Sequence, residues 1–137
     1  MSMISLSVVI PVYNSAEILP ILLRRLDTVL STLIPRFEVV LVNDGSRDDS
    51  WNVIIRLAEQ YSQIRGIDLM RNYGQHNALL CGIRAAEYQT IVTMDDDLQH
   101  PPEEISKLLT MLDEGYDVVY GTPETEQHGL WRDLASQ

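Results

Sequence analysis

Three consecutive carboxylates, Asp95, Asp96 and Asp97, follow the apolar run "TIVTM" (90–94) and precede "LQHPPEE". Adjacent carboxylates repel one another, so such a run at the end of an apolar segment calls for a compensating positive charge. If residues 95–99 stay extended, alternate side chains share a side. Asp95, Asp97 and Gln99 then face one way and Asp96 the other. Two carboxylates and an amide oxygen make a partial shell for a hard divalent cation such as Mg2+ or Mn2+, to be completed by phosphate oxygens and water. The competing reading is a cap for the helix that follows, and one aspartate suffices for that. A calcium EF-hand loop is excluded: counted from Asp95, position six is His100 and position twelve is Ser106, where Gly and Glu are required.

Other candidates lie in three short stretches. Asp44 in "VNDGS" is either part of an ordinary turn or a carboxylate open to the N–H of a nucleobase. Arg71 and Asn72 in "RNYG" precede a helix start, where a cation and the helix dipole suit a diphosphate; equally, Arg71 can pair with a surface acid. Tyr13 in "PVYN" can stack on a base or pack over the sheet edge. His76, His100 and His128 show no metal-ligand spacing. The single cysteine, Cys81, stands beside Leu79, Leu80 and Ile83 and is expected in the core rather than as a nucleophile.

The elements that position these residues alternate along the chain. Strands are expected at 4–10, 37–42, 64–70, 90–94 and 117–121, and helices at 16–33, 51–61, 74–88 and 101–115. The first helix carries Leu19, Leu22, Leu23, Leu26, Leu30 and Leu33 on one face, with Pro20 in its first turn or marking its start. The second points Trp51, Ile54, Ile55 and Ala58 inward, after a turn (43–50) ending in helix-capping residues. The third is rich in small residues, which allows close packing on a sheet. The fourth begins with prolines and with Glu103 and Glu104, ends at Gly115, and turns Ile105, Leu108, Leu109 and Leu112 inward. This β-α-β-α-β-α-β-α-β order calls for right-handed crossovers and a mostly parallel, Rossmann-like α/β sheet. In such sheets ligands bind past the carboxyl ends of the strands, where strand order reverses. "PVYN", "NDGS", "RNYGQHN" and "DDDLQH" all fall at that one rim.

Length and charge narrow the class. The 137 residues suffice for one domain with a real core, and a single domain over 1–137 is expected. A net charge of −10 makes nucleic acid a poor partner. One cysteine forms no internal disulfide and suits a reducing compartment. No signal peptide is visible, and no apolar run reaches the ~18–20 residues of a membrane span. The last residues, "HGLWRDLASQ", stop without a turn, so a longer natural protein is expected.

"VVIPVYN", "VNDGSRDDS", "RNYGQHNALLCGI" and "TMDDDLQHPPEEI", in this order and spacing, resemble family 2 glycosyltransferases with a GT-A fold. The likeness covers nearly the whole chain and is nearest to the polyprenyl-phosphate group. That group includes dolichyl-phosphate mannosyltransferase, the undecaprenyl-phosphate glucosyltransferases and the enzyme that transfers 4-deoxy-4-formamido-arabinose to undecaprenyl phosphate.

The resemblance implies a nucleotide-binding set of Pro11, Tyr13, Asn14, Glu17, Asp44, Gly45, Ser46, Arg71, Asp95 and Asp96. It implies a metal pair in Asp97 and Gln99, a catalytic role for Asp95 and Asp97, and Arg132 near the diphosphate or acceptor phosphate. Three positions depart from the pattern. Ser15 follows "YN" where relatives often carry Glu, Asp96 stands where Ala is usual, and Pro123 replaces a basic residue in "GTP". Asp96 is therefore expected to be the dispensable acid of the three.

The implied activity is Mg2+- or Mn2+-assisted transfer of a sugar from a nucleoside-diphosphate sugar to a polyprenyl phosphate, with inversion. It would take place on the cytoplasmic face of a membrane that the full-length protein contacts through C-terminal parts beyond residue 137. A hydroxyl acceptor is the alternative and would require a general base. A signalling receiver domain would need its acid pair after strand one and a lysine after strand five; the only lysine, Lys107, lies within a helix. Dinucleotide and P-loop enzymes need glycine patterns that are absent.

Overall fold

The computed structural model describes residues 5–99, 101–113 and 118–120; side chains are described for these except Leu108, 111–113 and 118–120. The strands are β1 (Ser5–Val12), β2 (Arg36–Asn43), β3 (Ile64–Asp68), β4 (Thr90–Thr93) and β5 (Val118–Tyr120). They form one sheet in the order β3-β2-β1-β4-β5, parallel throughout. Between them run α1 (Leu19–Leu33), α2 (Ser50–Gln60), α3 (Gln75–Ala85), a 3-10 turn (Pro102–Glu104) and α4 (Ile105–Asp113). The α/β expectation holds, with each expected element present and shifted by a few residues at its ends.

β1 is central and β2 its longest partner, and both are buried along nearly their whole length. That is why both read as apolar runs without alternation. One face carries Leu6, Val8, Ile10 and Val12 of β1 and Val39 and Leu41 of β2, under α1 and α2. The other face carries Val9, Val40 and Val42, under α3. A Cβ on Gly82 would lie 2.4 Å from Val9 Cγ1 and 3.0 Å from Val42 Cγ2. The small residues of α3 thus permit the close approach expected of them.

Two helix faces differ from expectation. In α2 the buried positions are Ser50, Val53, Ile54 and Leu57, while Ile55 is exposed and Trp51 and Ala58 only border the core. The face is turned because Gly66 of β3 leaves room for Ile54 Cγ2 and the Trp51 ring edge, 2.5 and 3.1 Å from where a Cβ would stand. In α1 five of the six expected leucines are buried, but Leu33, its last residue, is exposed. Pro20 does sit in the first turn of α1. Cys81 is half-buried, and its neighbours Leu80 and Ile83 are exposed. Gly115, and the side chains of Leu108 and Leu112, lie outside the described residues.

At the amino ends of the strands, far from the rim with the motifs, one buried carboxylate closes the sheet. Glu38 Oε2 accepts from Ser7 Oγ at 2.6 Å and from the Glu87 N–H at 2.6 Å. Its Oε1 accepts from Arg65 Nε at 2.9 Å, and Arg65 also donates to the Ala85 carbonyl at 2.7 Å. The group pins the α3–β4 connection to β1, β2 and β3. Burial alone would push the Glu38 carboxyl up; the hydrogen bonds from Ser7, Glu87 and Arg65 outweigh it and hold the carboxyl below the ordinary glutamate value. A carboxyl held lower in the folded than in the unfolded chain contributes stability that is complete above the unfolded value and lost as pH falls through the folded one. Glu38→Gln should therefore cost about 1–3 kcal/mol near neutral pH, and the gap to the parent should narrow on acidification. Urea unfolding across this range checks it; a gap that is constant with pH would refute the role.

Candidate functional site

The chain winds from β1 through β2 to β3 on one side of the sheet, then returns to place β4 on the other side of β1. Strand order reverses at β1, so the crevice past its carboxyl end is where α/β sheets hold ligands. Four connections meet there: residues 13–18, 44–49, 69–74 and 94–99.

Asp44 lies at the end of β2 and is 3% exposed. Its Oδ1 accepts from the Tyr73 N–H at 2.7 Å and its Oδ2 from the Gly74 N–H at 3.1 Å. These bonds orient the loop that leads into α3. The next residue, Gly45, has φ +69°, and a Cβ there would lie 2.3 Å from the Asn72 nitrogen. Only a glycine meets both demands at once, the left-handed backbone and the backbone-to-backbone contact.

The loop after β1 is tied to the loop after β2. The Asn14 N–H donates to Ser46 Oγ at 2.9 Å, Asn14 Oδ1 accepts from the Arg47 N–H at 2.8 Å, and the Ser15 N–H donates to Ser50 Oγ at 2.8 Å. Asp48 accepts from the Ala16 N–H at 3.1 Å and from the Ser50 N–H at 2.9 Å. Desolvation opposes its charge, but the bonds from Ser50 and Ala16 prevail and hold its carboxyl below the ordinary aspartate value. Asp49, at the N-cap of α2, makes no capping bond and instead holds Asn52 at 2.7 Å; the side chain that takes a first-turn N–H of α2 is that of Asp48, through Ser50.

The acid run does not stay extended. β4 makes its last sheet bond from the Met94 N–H to the Val9 carbonyl, and the chain then turns, with Leu98 at φ 63°. Leucine rarely adopts that backbone; here its side chain packs on the main core, which holds the turn in place. The alternation expected of an extended run is therefore lost. Asp95, Asp96 and Asp97 all line one cleft of about 170 Å³, together with Pro11, Val12, Tyr13, Asp44 and Gln75.

Asp95 Oδ1 accepts from Gln75 Nε2 at 2.8 Å. Asp97 Oδ1 accepts from the Gln99 N–H at 3.1 Å. Asp96 is not turned away: its Oδ2 accepts from the Tyr13 N–H at 3.0 Å and from Ser15 Oγ at 2.5 Å. Its expected placement on the side away from Asp95 and Asp97 is thus contradicted: it lines the same cleft and joins the acid turn to the loop after β1. Farther along, Arg25 of α1 grips Glu103 at 3.1 and 2.5 Å and holds its carboxyl below the ordinary value.

Tyr13 also borders a second, wider cleft of about 470 Å³ on the β2–β3 side, with Asn43, Gly45, Ser46, Trp51, Asp68 and Arg71 among its walls. Arg71 stacks over the Tyr73 ring at 5.3 Å and forms no ion pair among the described residues. Of the expected set, Pro11, Tyr13, Asp44 and the three acids thus meet in one cleft, and Gly45, Ser46 and Arg71 line its neighbour. Asn14 organises the loop; Glu17 and Gln99 are exposed and line neither cleft. Arg132, His100, His128 and Pro123 lie outside the described residues. Gln75, Asp48 and Ser50 escaped the sequence reading; only their positions at helix starts hint at them.

Among the described residues no group of three or more His, Cys, Asp or Glu side chains is arranged to hold a metal ion. A cage is not what Mg2+ or Mn2+ requires. One or two carboxylates facing an open cleft, with phosphate and water oxygens as the remaining ligands, is a usual donor set. Asp97, exposed and lining the cleft, meets that demand.

Residues 7–136 match the family model described as Glycosyl transferase family 2. The chain is 46% identical over 127 residues to the undecaprenyl-phosphate 4-deoxy-4-formamido-L-arabinose transferase of Pseudomonas syringae pv. syringae (strain B728a), covering 92% of this chain and 38% of that protein. It is 46% identical over 132 residues to the protein of the same name from Klebsiella pneumoniae (strain 342), covering 96% and 40%. The chain thus spans about two fifths of the length of these curated relatives.

Among solved structures, S. aureus TarS 1-349 in complex with UDP-GlcNAc has a TM-score of 0.65 at 24% identity, over 81% of this chain and 32% of that one; this likeness is one of fold. The mannosyltransferase PcManGT from Pyrobaculum calidifontis, in complex with GDP-Man and Mn2+, has a TM-score of 0.57 at 28% identity, over 67% and 27%.

Asp44→Asn should loosen the loop before α3. An amide offers one acceptor oxygen and turns its NH2 toward a backbone donor. Hydrogen exchange at the Tyr73 and Gly74 amides should quicken by about tenfold or more. Unchanged exchange there would show that the two bonds do not hold the loop.

Proposed function

The chain belongs to glycosyl transferase family 2, and on that premise we propose that it is the donor-binding part of a polyprenyl-phosphate glycosyltransferase. The full protein would move a sugar from a nucleoside-diphosphate sugar to a polyprenyl phosphate, with inversion at the sugar carbon. The observation that carries this reading is the convergence of Asp44, Asp95, Asp96, Asp97 and Tyr13 on one cleft at the switch point of the sheet. The 46% identity to two undecaprenyl-phosphate sugar transferases supports the acceptor class.

In this reading Tyr13 stacks on the base, and the loops around Asp44, Gly45 and Ser46 hold base and ribose. Arg71 lies near enough to the rim to balance phosphate charge. Asp95, oriented by Gln75, positions the donor, and Asp97 would hold the divalent ion, with Gln99 as its expected second ligand. Mg2+ or Mn2+, when bound, supplies charge neutralisation for the leaving nucleoside diphosphate. A phosphate acceptor is already ionised near neutral pH, so the chain needs no general base to activate it. No described helix is long and apolar enough to cross a membrane. The reaction would take place at the cytoplasmic face of the membrane that carries the lipid acceptor.

Calorimetric titration with UDP, GDP and dTDP, with and without Mn2+, tests the reading. One of the three should bind more tightly with Mn2+ by about tenfold or more, and Asp97→Asn should remove most of that gain while leaving metal-free binding within about threefold. Unchanged metal dependence in Asp97→Asn would overturn the metal assignment. Absence of binding for all three would overturn the donor reading.

A further inference from the structure

We infer that Asp96 is the positioning residue of the acid turn: it sets where Asp95 and Asp97 stand by docking the turn on the loop after β1. The claim rests on the donor reading for its catalytic meaning, and on geometry alone for its structural content.

Leu98 holds the far end of the turn to the core and Gln75 holds Asp95 from α3; Asp96 bonds it to the loop after β1. The last sheet bond of β4 is made by the Met94 N–H, and the chain then leaves β1. The next attachment across to the β1 side is Asp96 Oδ2, which takes the Tyr13 N–H at 3.0 Å and the Ser15 hydroxyl at 2.5 Å. The Ser15 hydroxyl has one proton and two acceptors in reach, the Asp96 carboxylate and the Tyr13 carbonyl at 3.1 Å. The charged and nearer acceptor takes it.

The loop that receives Asp96 is itself held. Ser15 is fixed through its N–H to Ser50 Oγ, and Ser50 is fully buried. Asn14, with φ 53°, is fixed to Ser46 and Arg47. Asp96 therefore ties the acid turn to a loop that is itself hydrogen-bonded to the loop after β2. Its two sequence neighbours are the acids proposed to meet the donor and the metal. A shift of Asp96 must carry both with it, since consecutive Cα atoms are a fixed ~3.8 Å apart. Ser15 and Asp96 act as one unit, the hydroxyl giving the carboxylate a partner that the backbone alone does not supply.

The test uses Asp96→Ala, Asp96→Asn and Ser15→Ala in the 137-residue chain. Two readouts are needed: Mn2+-dependent binding of UDP and of GDP, and NMR of the Tyr13 amide proton and the Gln75 side-chain amide. Gln75 touches Asp95, but neither Asp96 nor Ser15, so its signal reports on the acid turn from across the cleft.

Asp96→Ala should shift the Tyr13 amide upfield, move the Gln75 signal and weaken Mn2+-dependent binding by about tenfold or more. Asp96→Asn keeps an acceptor oxygen and should recover binding to within about threefold of the parent. Ser15→Ala should move Gln75 in the same direction, by less. If Asp96→Asn binds as poorly as Asp96→Ala while Ser15→Ala leaves Gln75 unmoved, Asp96 touches the ligand instead and the proposal fails. It also fails if Asp96→Ala lowers the thermal midpoint but leaves affinity unchanged well below that midpoint. Should the parent bind neither diphosphate, the donor reading falls, and the Gln75 signal still decides the positioning claim: unmoved in Asp96→Ala, it overturns it.

Discussion

β1 is paired on both edges and covered on both faces, and that constraint shapes the rest of the molecule. A strand so enclosed has no room for a polar side chain without a partner along its length. Chemistry is therefore driven to its ends. At the amino end the enclosure admits one carboxylate, Glu38 on the neighbouring strand, and surrounds it with Ser7, Arg65 and a backbone N–H. At the carboxyl end it admits loops, and these are held by carboxylates that accept backbone N–H groups. Asp44 does so for the loop before α3, and Asp48 and Asp96 both do so for the loop after β1.

This use of acids explains why the rim is both polar and rigid. A carboxylate that accepts backbone donors costs little to desolvate and fixes two chain segments at once. Asp44 joins the end of β2 to the loop before α3, and Asp96 joins the acid turn to the loop after β1. The remaining acids, Asp95 and Asp97, are held by a side-chain amide and a local N–H respectively. The rim thus divides its aspartates between those that build the cleft and those that face it. The backbone records the same tension: Asn14 and Leu98, the non-glycine residues with positive φ among those described, both lie here.

Much of the fold was legible because parallel strands enclosed on both faces leave plain apolar runs, and amphipathic helices alternate with them. The gathering of the polar loops at one rim was legible too, since the sheet's switch point collects them whatever their detail. What escaped was decided by contacts distant in sequence. The inward face of α2 turns on Gly66, which admits Ile54 and Trp51, and no periodicity within α2 could reveal that. The extended form assumed for residues 95–99 fails because Leu98 seeks the core and takes a left-handed backbone to reach it. Asp96 looked idle because its partners stand 83 and 81 positions earlier. Asp44 likewise looked like a turn residue, and its acceptors' donors lie 29 and 30 positions later.

The charge of the cleft supplies its own constraint on function. Four aspartates line a space of about 170 Å³, and among the described residues no cationic side chain is in its walls. At roughly 5 Å and an effective dielectric near 20, each carboxylate–phosphate pair would oppose binding by about 3 kcal/mol. Backbone bonds to Asp44 and Asp96 spread part of their charge, but Asp97 keeps its own largely toward the cleft. A diphosphate can settle there only with a positive charge between it and the acids. Arg71 lines the neighbouring cleft, stacked on Tyr73, and is not among the walls of this one. A divalent ion carried in with the nucleotide would meet the requirement. Under the proposed donor role, the acid turn would take the cation–diphosphate pair rather than either alone, and the standing of Asp97, with the Asp96 anchor beside it, would be the quantity the rim has to hold constant.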